Sequence, residues 1–583
     1  MTDACSASTP ALHDRIAPAI AASGTHISGA PRDTGPRGDG RADLVVIGAI
    51  STGDADSPTA EAMAIADGRI VGLGTRDDVE GLIGPGTRTL RPDGVVLPGL
   101  IEPHAHVWVS LLMLDWVDVS HPRCATFDDV VTTLKKAAGS GAPGEYLLAK
   151  LFDPSLYAGE PDLTRDILDR VALDRPVVVL NASMHFAYAN SRALEAAGIT
   201  DGTPAPTGGT FGRVDGRLTG VVGEAPAVSM LLAALPRPEA AEIDRGVRTI
   251  LTGWASRGIT SVREAMTGTI AGVSEIALLH RLNDTERLPV RVSTAQFSAL
   301  PGFTTPREAA AAWRAAGVTP FSGDDMVRAD AWEVVVDGSN QGRSGFFEDP
   351  YLGHDSSGRP GRGHANWTSE GLRDALSAGL DDGWQLMIHT NGDAAVDLAL
   401  TTLEDLLAKD SRDLRHRLEH ASVTTDAQLA RMAAAGVSPS FLMDHVRYWG
   451  AAFRDSILGP YRAVRLDRLA SALRAGLRPS IHSDDNVTTA DPLRSAQTAV
   501  LRRLEADGSV LGPDERVTPG QALAAITTDA AWQIHADDRG VLRRGARADF
   551  VVADADPWSS DPERWHDIRI HETRIAGTPA FSA

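Results

Sequence analysis

Apolar and polar positions along this chain follow two alternating rhythms. From Ala240 onward, stretches with apolar residues three and four apart give way repeatedly to short β-branched runs. The first rhythm predicts amphipathic helices and the second predicts buried strands. The helix "AAEIDRGVRTILTGWASRG" precedes the strand "ITSVREAM". A helix near Ser274 to Asn283 precedes "PVRVSTAQF", and another near Arg307 to Ala315 precedes "ADAWEVVVDG". The pairs "TSEGLRDALSAGLDDG" with "WQLMIHTNGD", "AAVDLALTTLEDLLAK" with "RHRLEHAS", "TTDAQLARMAAAG" with "VSPSFLMDHV" and "RLDRLASALRAG" with "LRPSIHSDDN" continue the series. With "VVLPGLIEPHAHV" placed first, the series holds eight strands. Repeated βα units imply a parallel sheet, and eight of them imply a closed (β/α)8 barrel of the TIM type.

The chain ends read differently. "ADLVVIGAI" and "AMAIADGRIVGLG" are short strands punctuated by Gly and Asp-Gly turns. "RGVLRRGARADFVVADADP" and "IRIHETRIAGTPAF" repeat that texture at the other end. Residues 41–97 and 539–583 are therefore expected to form one small composite β-sandwich domain, with the barrel over 98–538. A barrel alone needs about 250 residues, so the surplus must be insertion. The largest insertion spans about 108–235, after the first barrel strand, with a helix over Thr126 to Ala138 and the strands "YLLAKLF" and "PVVVLNAS". Residues 1–40 are rich in Ala, Gly, Ser, Pro and Asp and are expected to be a disordered tail.

Composition narrows the class of function. The chain has 583 residues and a formal net charge of -21. That balance, without a basic run, argues against a nucleic-acid partner. There is no apolar stretch of membrane-spanning length and no signal-peptide pattern at the start. The two cysteines, Cys5 and Cys124, are too few for a disulfide framework or a cysteine metal site. A cytoplasmic protein is expected, binding neither nucleic acid nor membrane. The oligomeric state is open, and a homodimer is compatible with it.

The chemistry lies at the strand ends. The first strand ends in "HAH", His104 and His106; the fifth ends in His389, the sixth in His420 and the eighth in Asp484. Residues two apart on a strand share a face, so His104 and His106 can grip one ion. In a barrel the C-terminal strand ends converge on one mouth. Four histidines and an aspartate meeting there make a metal site of imidazole and carboxylate. Glu333 interrupts the apolar run Trp332 to Val336 on the fourth strand. A carboxylate there is costly to bury unless something positive faces it.

With these residues in place, the chain resembles the amidohydrolase superfamily. Within it, the chain is similar to the amidohydrolase 3 group, which includes YtcJ-like proteins and N-substituted formamide deformylases. The matching segments include "VVLPGLIEPHAH", "VVVLNASMHFAYANSRAL", "GITSVREA", "VVVDGSNQGRSGFFEDPYLG", "IHTNGDAAVDLAL", "RLEHAS", "HVRYWG" and "RPSIHSDDNVTTADPL". The resemblance runs from about Ala42 to the end. It implies one or two divalent ions, most often zinc, with two favoured. His104, His106, His389, His420 and Asp484 match the ligands. The bridging position on strand four, commonly a carboxylated lysine four residues before an Asp, is Glu333 here, four before Asp337. Glu333 is expected to bridge two ions in place of that lysine.

The resemblance implies hydrolysis of a carbon–nitrogen bond in a small non-peptide amide such as an N-substituted formamide. Asp484 would move the proton to the leaving nitrogen, and His420 or His445 would stabilise the oxyanion. His185, Trp449 and Trp108 are candidate substrate contacts, with Phe152 a further candidate wall. His482 shares the face of Asp484 and is read as a donor behind the ligands. Asp393 either orients His389 or opens a helix. His121, His280, His354, His364, His416 and His535 are read as structural or surface residues. The alternatives are deamination of a cyclic amidine-type substrate and a non-catalytic barrel. The intact ligand set argues against the second.

Overall fold

The computed structural model describes residues 10–22, 24, 40–121, 123–157, 162–182, 184, 186–206, 209–353, 361–410 and 412–583. All eight expected barrel strands form. They are β1 (Leu100–Ala105), β2 (Ile259–Thr267), β3 (Arg291–Phe297), β4 (Val327–Val335), β5 (Gln385–Thr390), β6 (Arg417–His420), β7 (Ser438–Leu442) and β8 (Ser480–His482). They pair in parallel and in sequence order. The ring is nearly closed where β8 returns to β1. A parallel bridge joins Ala105 to Asp485, and the His106 N–H donates to the Asp485 carbonyl at 2.7 Å. Closure therefore falls beside His104, His106 and Asp484.

The intervening helices start and stop where side chains can satisfy their free backbone groups. Thr305 and Glu308 form a capping box around Pro306–Ala315, and Thr425 and Gln428 do so for Asp426–Ala435. Gly436, at φ 66, ends the latter helix in the left-handed conformation that glycine adopts without strain. Helix Ala240–Ala255 turns Ile243, Val247, Ile250 and Trp254 inward at helical spacing.

Strand alternation divides β4 cleanly. Trp332 and Val334 face the main apolar core, which fills the space between barrel and helices. Ala331 joins Ala265, Ala295 and Met387 in a thin layer inside the barrel. Glu333 and Val335 continue the inward face above it, and Val335 pairs in register with His389. Below the small alanines the barrel is polar. The Arg263 guanidinium donates to Asp330 at 2.7 Å, and both side chains are wholly buried.

The chain ends pair into one eight-stranded sheet. Its junction is the antiparallel contact of Val95–Pro98 with Phe550–Ala553. Leu44 and Val46 enter one apolar cluster of this sheet and Val45 another, so both faces are covered. The segment after β1 carries a six-stranded sheet from Val117–Asp118 to Arg217–Gly223. The expected helix runs Phe127–Ala138, capped by Thr126 and Asp129, and further helices occupy Arg165–Val171, Ser191–Ala196 and Ala225–Leu232.

The N-terminal segment corrects one expectation. A helix occupies Pro10–Ala21, and Ile16 and Ile20 are buried in the main core. Arg15 donates to the Pro236 carbonyl at 2.7 Å. The small-residue composition masked an apolar pair four apart, which is one helix face. Residues 1–9, 23 and 25–39 lie outside the described residues. Among the described residues, no helix is long and apolar enough to cross a membrane.

Candidate metal centre

His104 ends β1 on its inward face, and His106 caps the following helix Val107–Leu112 in extended backbone. Their two-residue spacing aims both rings at Asp484. Asp484 Oδ1 lies 3.2 Å from His104 Nε2 and 3.0 Å from His106 Nε2. His420 Nδ1 lies 4.0 Å from Asp484 Oδ2. The His389 and His420 rings are 4.5 Å apart, and those of His104 and His420 are 5.1 Å apart. The five side chains from β1, β5, β6 and the end of β8 thus meet at one point, all of them buried.

His420 reaches the mouth by breaking alternation. Arg417 and Glu419 point into the barrel, so a regular strand would turn His420 outward. Its φ of 61, with 41 at Ala421, swings the ring back. Asp484 has φ 54. Non-glycine residues rarely take this conformation, and such strain concentrates at functional sites.

Burial alone would push the Asp484 carboxyl up, but hydrogen bonds from His104 and His106 hold it well below the ordinary carboxylate range. Burial lowers His420, as does neighbouring His389, so its imidazole is neutral. Burial raises Glu333, opposed by the nearby His104 and His106. Its Oε2 accepts the Met266 N–H at 2.6 Å. His420 Nδ1 is buried without a hydrogen-bond partner, and the Asp484 carboxylate is met by imidazole nitrogens at 3.0, 3.2 and 4.0 Å. An unmet imidazole lone pair beside three further imidazoles and a carboxylate, all buried, is a donor set that fits a divalent transition ion.

The sequence profile of the amidohydrolase family matches residues 93–581. The chain belongs to the amidohydrolase family. It is 29% identical over 555 residues to the N-substituted formamide deformylase of Arthrobacter pascens, covering 92% of this chain and 97% of that one. It is 25% identical over 524 residues to the putative amidohydrolase YtcJ of Bacillus subtilis, covering 89% and 95% respectively. Its fold is shared with a metal-dependent hydrolase of Pyrococcus horikoshii, at a TM-score of 0.70 and 20% identity, covering 89% of this chain and 99% of that one.

The amidohydrolase surrounds its histidines with carboxylates that sequence reasoning did not single out. Glu419 Oε2 accepts from His104 Nδ1 at 2.9 Å and from Arg417 at 2.8 Å. That bond fixes the tautomer and aims Nε2 at Asp484. Asp337 lies 3.4 Å from His389 Nδ1 and accepts the N–H groups of Phe346, Asn391 and Gly392. Glu264 accepts the Val107 N–H behind His106. The available signal was spacing: Arg417 and Glu419 share a face of "RLEH", as Glu102 and His104 share one of "IEPHAH". Glu419→Gln is expected to weaken metal binding about 10- to 100-fold, read by competition against a chelator. An unchanged affinity would remove Glu419 from the site.

The remaining candidates divide. His445, in the turn His445–Trp449 after β7, is buried, which pulls it down to about 4, with Asp484 opposing. Trp449 sits edge-on to it at 5.9 Å and donates to Asp153 of the inserted segment at 2.9 Å. Trp449 borders a cavity of about 390 Å³ with Ser110, Lys150, Tyr448 and Asn486. His121, read as structural or surface, borders it too. Trp108 packs in the main core, and Phe152 packs in the core of the inserted sheet against Tyr157. Neither borders that cavity, because each sits on the buried face of its own element. Asp393 contacts the Glu348 N–H in the first turn of helix Asp393–Leu407, so the orienting contacts of His389 are Asp337 and Asn391 instead. His185 lies outside the described residues.

Proposed function

We propose that this amidohydrolase cleaves the carbon–nitrogen bond of a small non-peptide amide, such as an N-substituted formamide, with divalent metal, zinc being the expected ion. The observation that carries the reading is the Asp484 carboxylate, 3.2 and 3.0 Å from two imidazoles of the same rim. The 29% identity to an N-substituted formamide deformylase over nearly the whole chain supports the substrate class. His104, His106, His389, His420 and Asp484 would hold the metal, and Glu333 would bridge two ions. When bound, such an ion polarises a carbonyl and makes water acidic enough to attack near neutral pH.

The side chains supply the rest. Asp484 stays anionic, so it accepts the proton of the attacking water and passes it to the leaving nitrogen. An amine leaves poorly until protonated, so this transfer decides turnover. His445, or His420 where it does not hold the ion, would donate an N–H to the developing oxyanion. The products are a carboxylic acid, formate for a formamide, and the free amine.

Two measurements test this. Purified protein given a panel of N-substituted formamides and other small amides is expected to release acid and amine in equal amounts. Ammonia released with the ring of an amidine substrate intact would show deamination instead. Metal analysis of the wild type beside Glu333→Gln is expected to show two ions falling to one. One ion in both proteins would show that Glu333 does not bridge, and a wild type retaining no metal would support a non-catalytic barrel.

A further inference from the structure

His482 lies one inward position below Asp484, at the end of β8. Among the described residues, His104, His482 and Asp484 each offer a ligand atom, and these atoms lie within 4.8 Å of one another. All three side chains are buried. His482 is also, among the described residues, the one histidine with both ring nitrogens buried and neither hydrogen-bonded. A neutral imidazole always carries one N–H and one lone pair. Leaving both unmet inside a core is unfavourable, and a site with an ion would satisfy the lone pair.

The local structure holds these groups firmly. Ser483, between His482 and Asp484, donates its hydroxyl to Glu102 at 2.7 Å and its N–H to the same carboxylate at 3.3 Å. His482 and Asp484 then offer ligand atoms within 4.8 Å of each other and of His104. Glu419 takes His104 Nδ1 and leaves Nε2 turned to Asp484. The His482 ring is 4.7 Å from that of His104 and 5.0 Å from that of His420.

We infer that His482 is itself a metal ligand, so that His104, His482 and Asp484 form a three-donor site that reaches one layer deeper into the barrel than the rim. The inference rests on the metal-loaded reading of this centre. It separates two groups of donors: the deep trio, with His106 at its rim, and the His389–His420 pair. A full nitrogen and oxygen set for the first ion then needs no contribution from Glu333.

The test uses full-length protein stripped of metal and reloaded with one equivalent of zinc or cobalt. His482→Gln is compared with wild type by chelator competition, by the visible absorption of bound cobalt, and by counting imidazole ligands with X-ray absorption. Far-UV circular dichroism of the metal-free proteins checks folding. The expected result is one imidazole fewer than in wild type, a zinc affinity at least tenfold weaker, and altered cobalt bands. A hydrogen-bonding or packing role would leave the imidazole count alone. The smaller His482→Asn is read the same way if the Gln variant does not fold. A folded variant with unchanged affinity, bands and imidazole count overturns the inference while leaving the metal reading intact. A wild type that takes up no metal overturns both.

Discussion

Replacing Asp484 with asparagine is expected to lower kcat/KM on an accepted amide about 10²- to 10⁴-fold while the folded protein still holds metal. Asparagine keeps the shape and one oxygen beside His104 and His106, which stand at 3.2 and 3.0 Å in the native protein. It loses the anionic oxygen that accepts a proton. The four histidines remain as donors, so metal content, measured first, should fall less than activity. The loss should be steepest for substrates with a poorly leaving amine, because proton delivery limits those most. Amides whose leaving nitrogen is already a good leaving group should suffer less. Near-normal turnover with metal bound would rule out Asp484 as the proton carrier.

The contrast between Asp484 and Glu419 shows what was legible in the sequence. His104, His106 and His389 follow strand periodicity to the point where each strand meets its loop, and Asp484 lies just past the end of β8 in a left-handed backbone. Eight such strands bring their ends to one rim. Glu419 sits on a strand that was correctly read, yet its partner His104 is 315 residues away. No local pattern announces a contact of that kind. His420 was found by position, but its inward turn depends on a left-handed backbone at a residue that is not glycine. The packing around it imposes that conformation, and local propensity does not.

Other differences have the same origin. Trp449 is tied to Asp153 across 296 residues, so the insertion and the loop after β7 share one cavity wall. Trp108, by contrast, follows His106 directly and was a candidate substrate contact. Helix geometry turns it into the core. Glu333 was legible as an acid inside an apolar strand that needs something positive to face it. Its Oε2 bond to the Met266 N–H was not, since that partner belongs to the neighbouring half of the barrel wall.

The polar floor of the barrel leads to the second large effect. Asp330→Ala is expected to destabilise the fold by about 3–5 kcal/mol. Arg263 is wholly buried, and burial pulls its guanidinium down to about 10, with Asp330 opposing that fall. Arg263 also donates to Ser293 and Gln385, which are neutral and cannot offset a full charge. Removing Asp330 therefore leaves a cation in the barrel without its counter-ion. Arg328, 2.8 Å from the same carboxylate, loses its partner as well, but it is partly exposed and water can replace the contact. The loss should appear as a lowered urea midpoint by far-UV circular dichroism. Asp330→Asn, which keeps an oxygen for the guanidinium, should cost less. A loss below about 1 kcal/mol for Asp330→Ala would mean that the neutral groups suffice. The floor would then be a hydrogen-bonded network in which the ion pair plays little part.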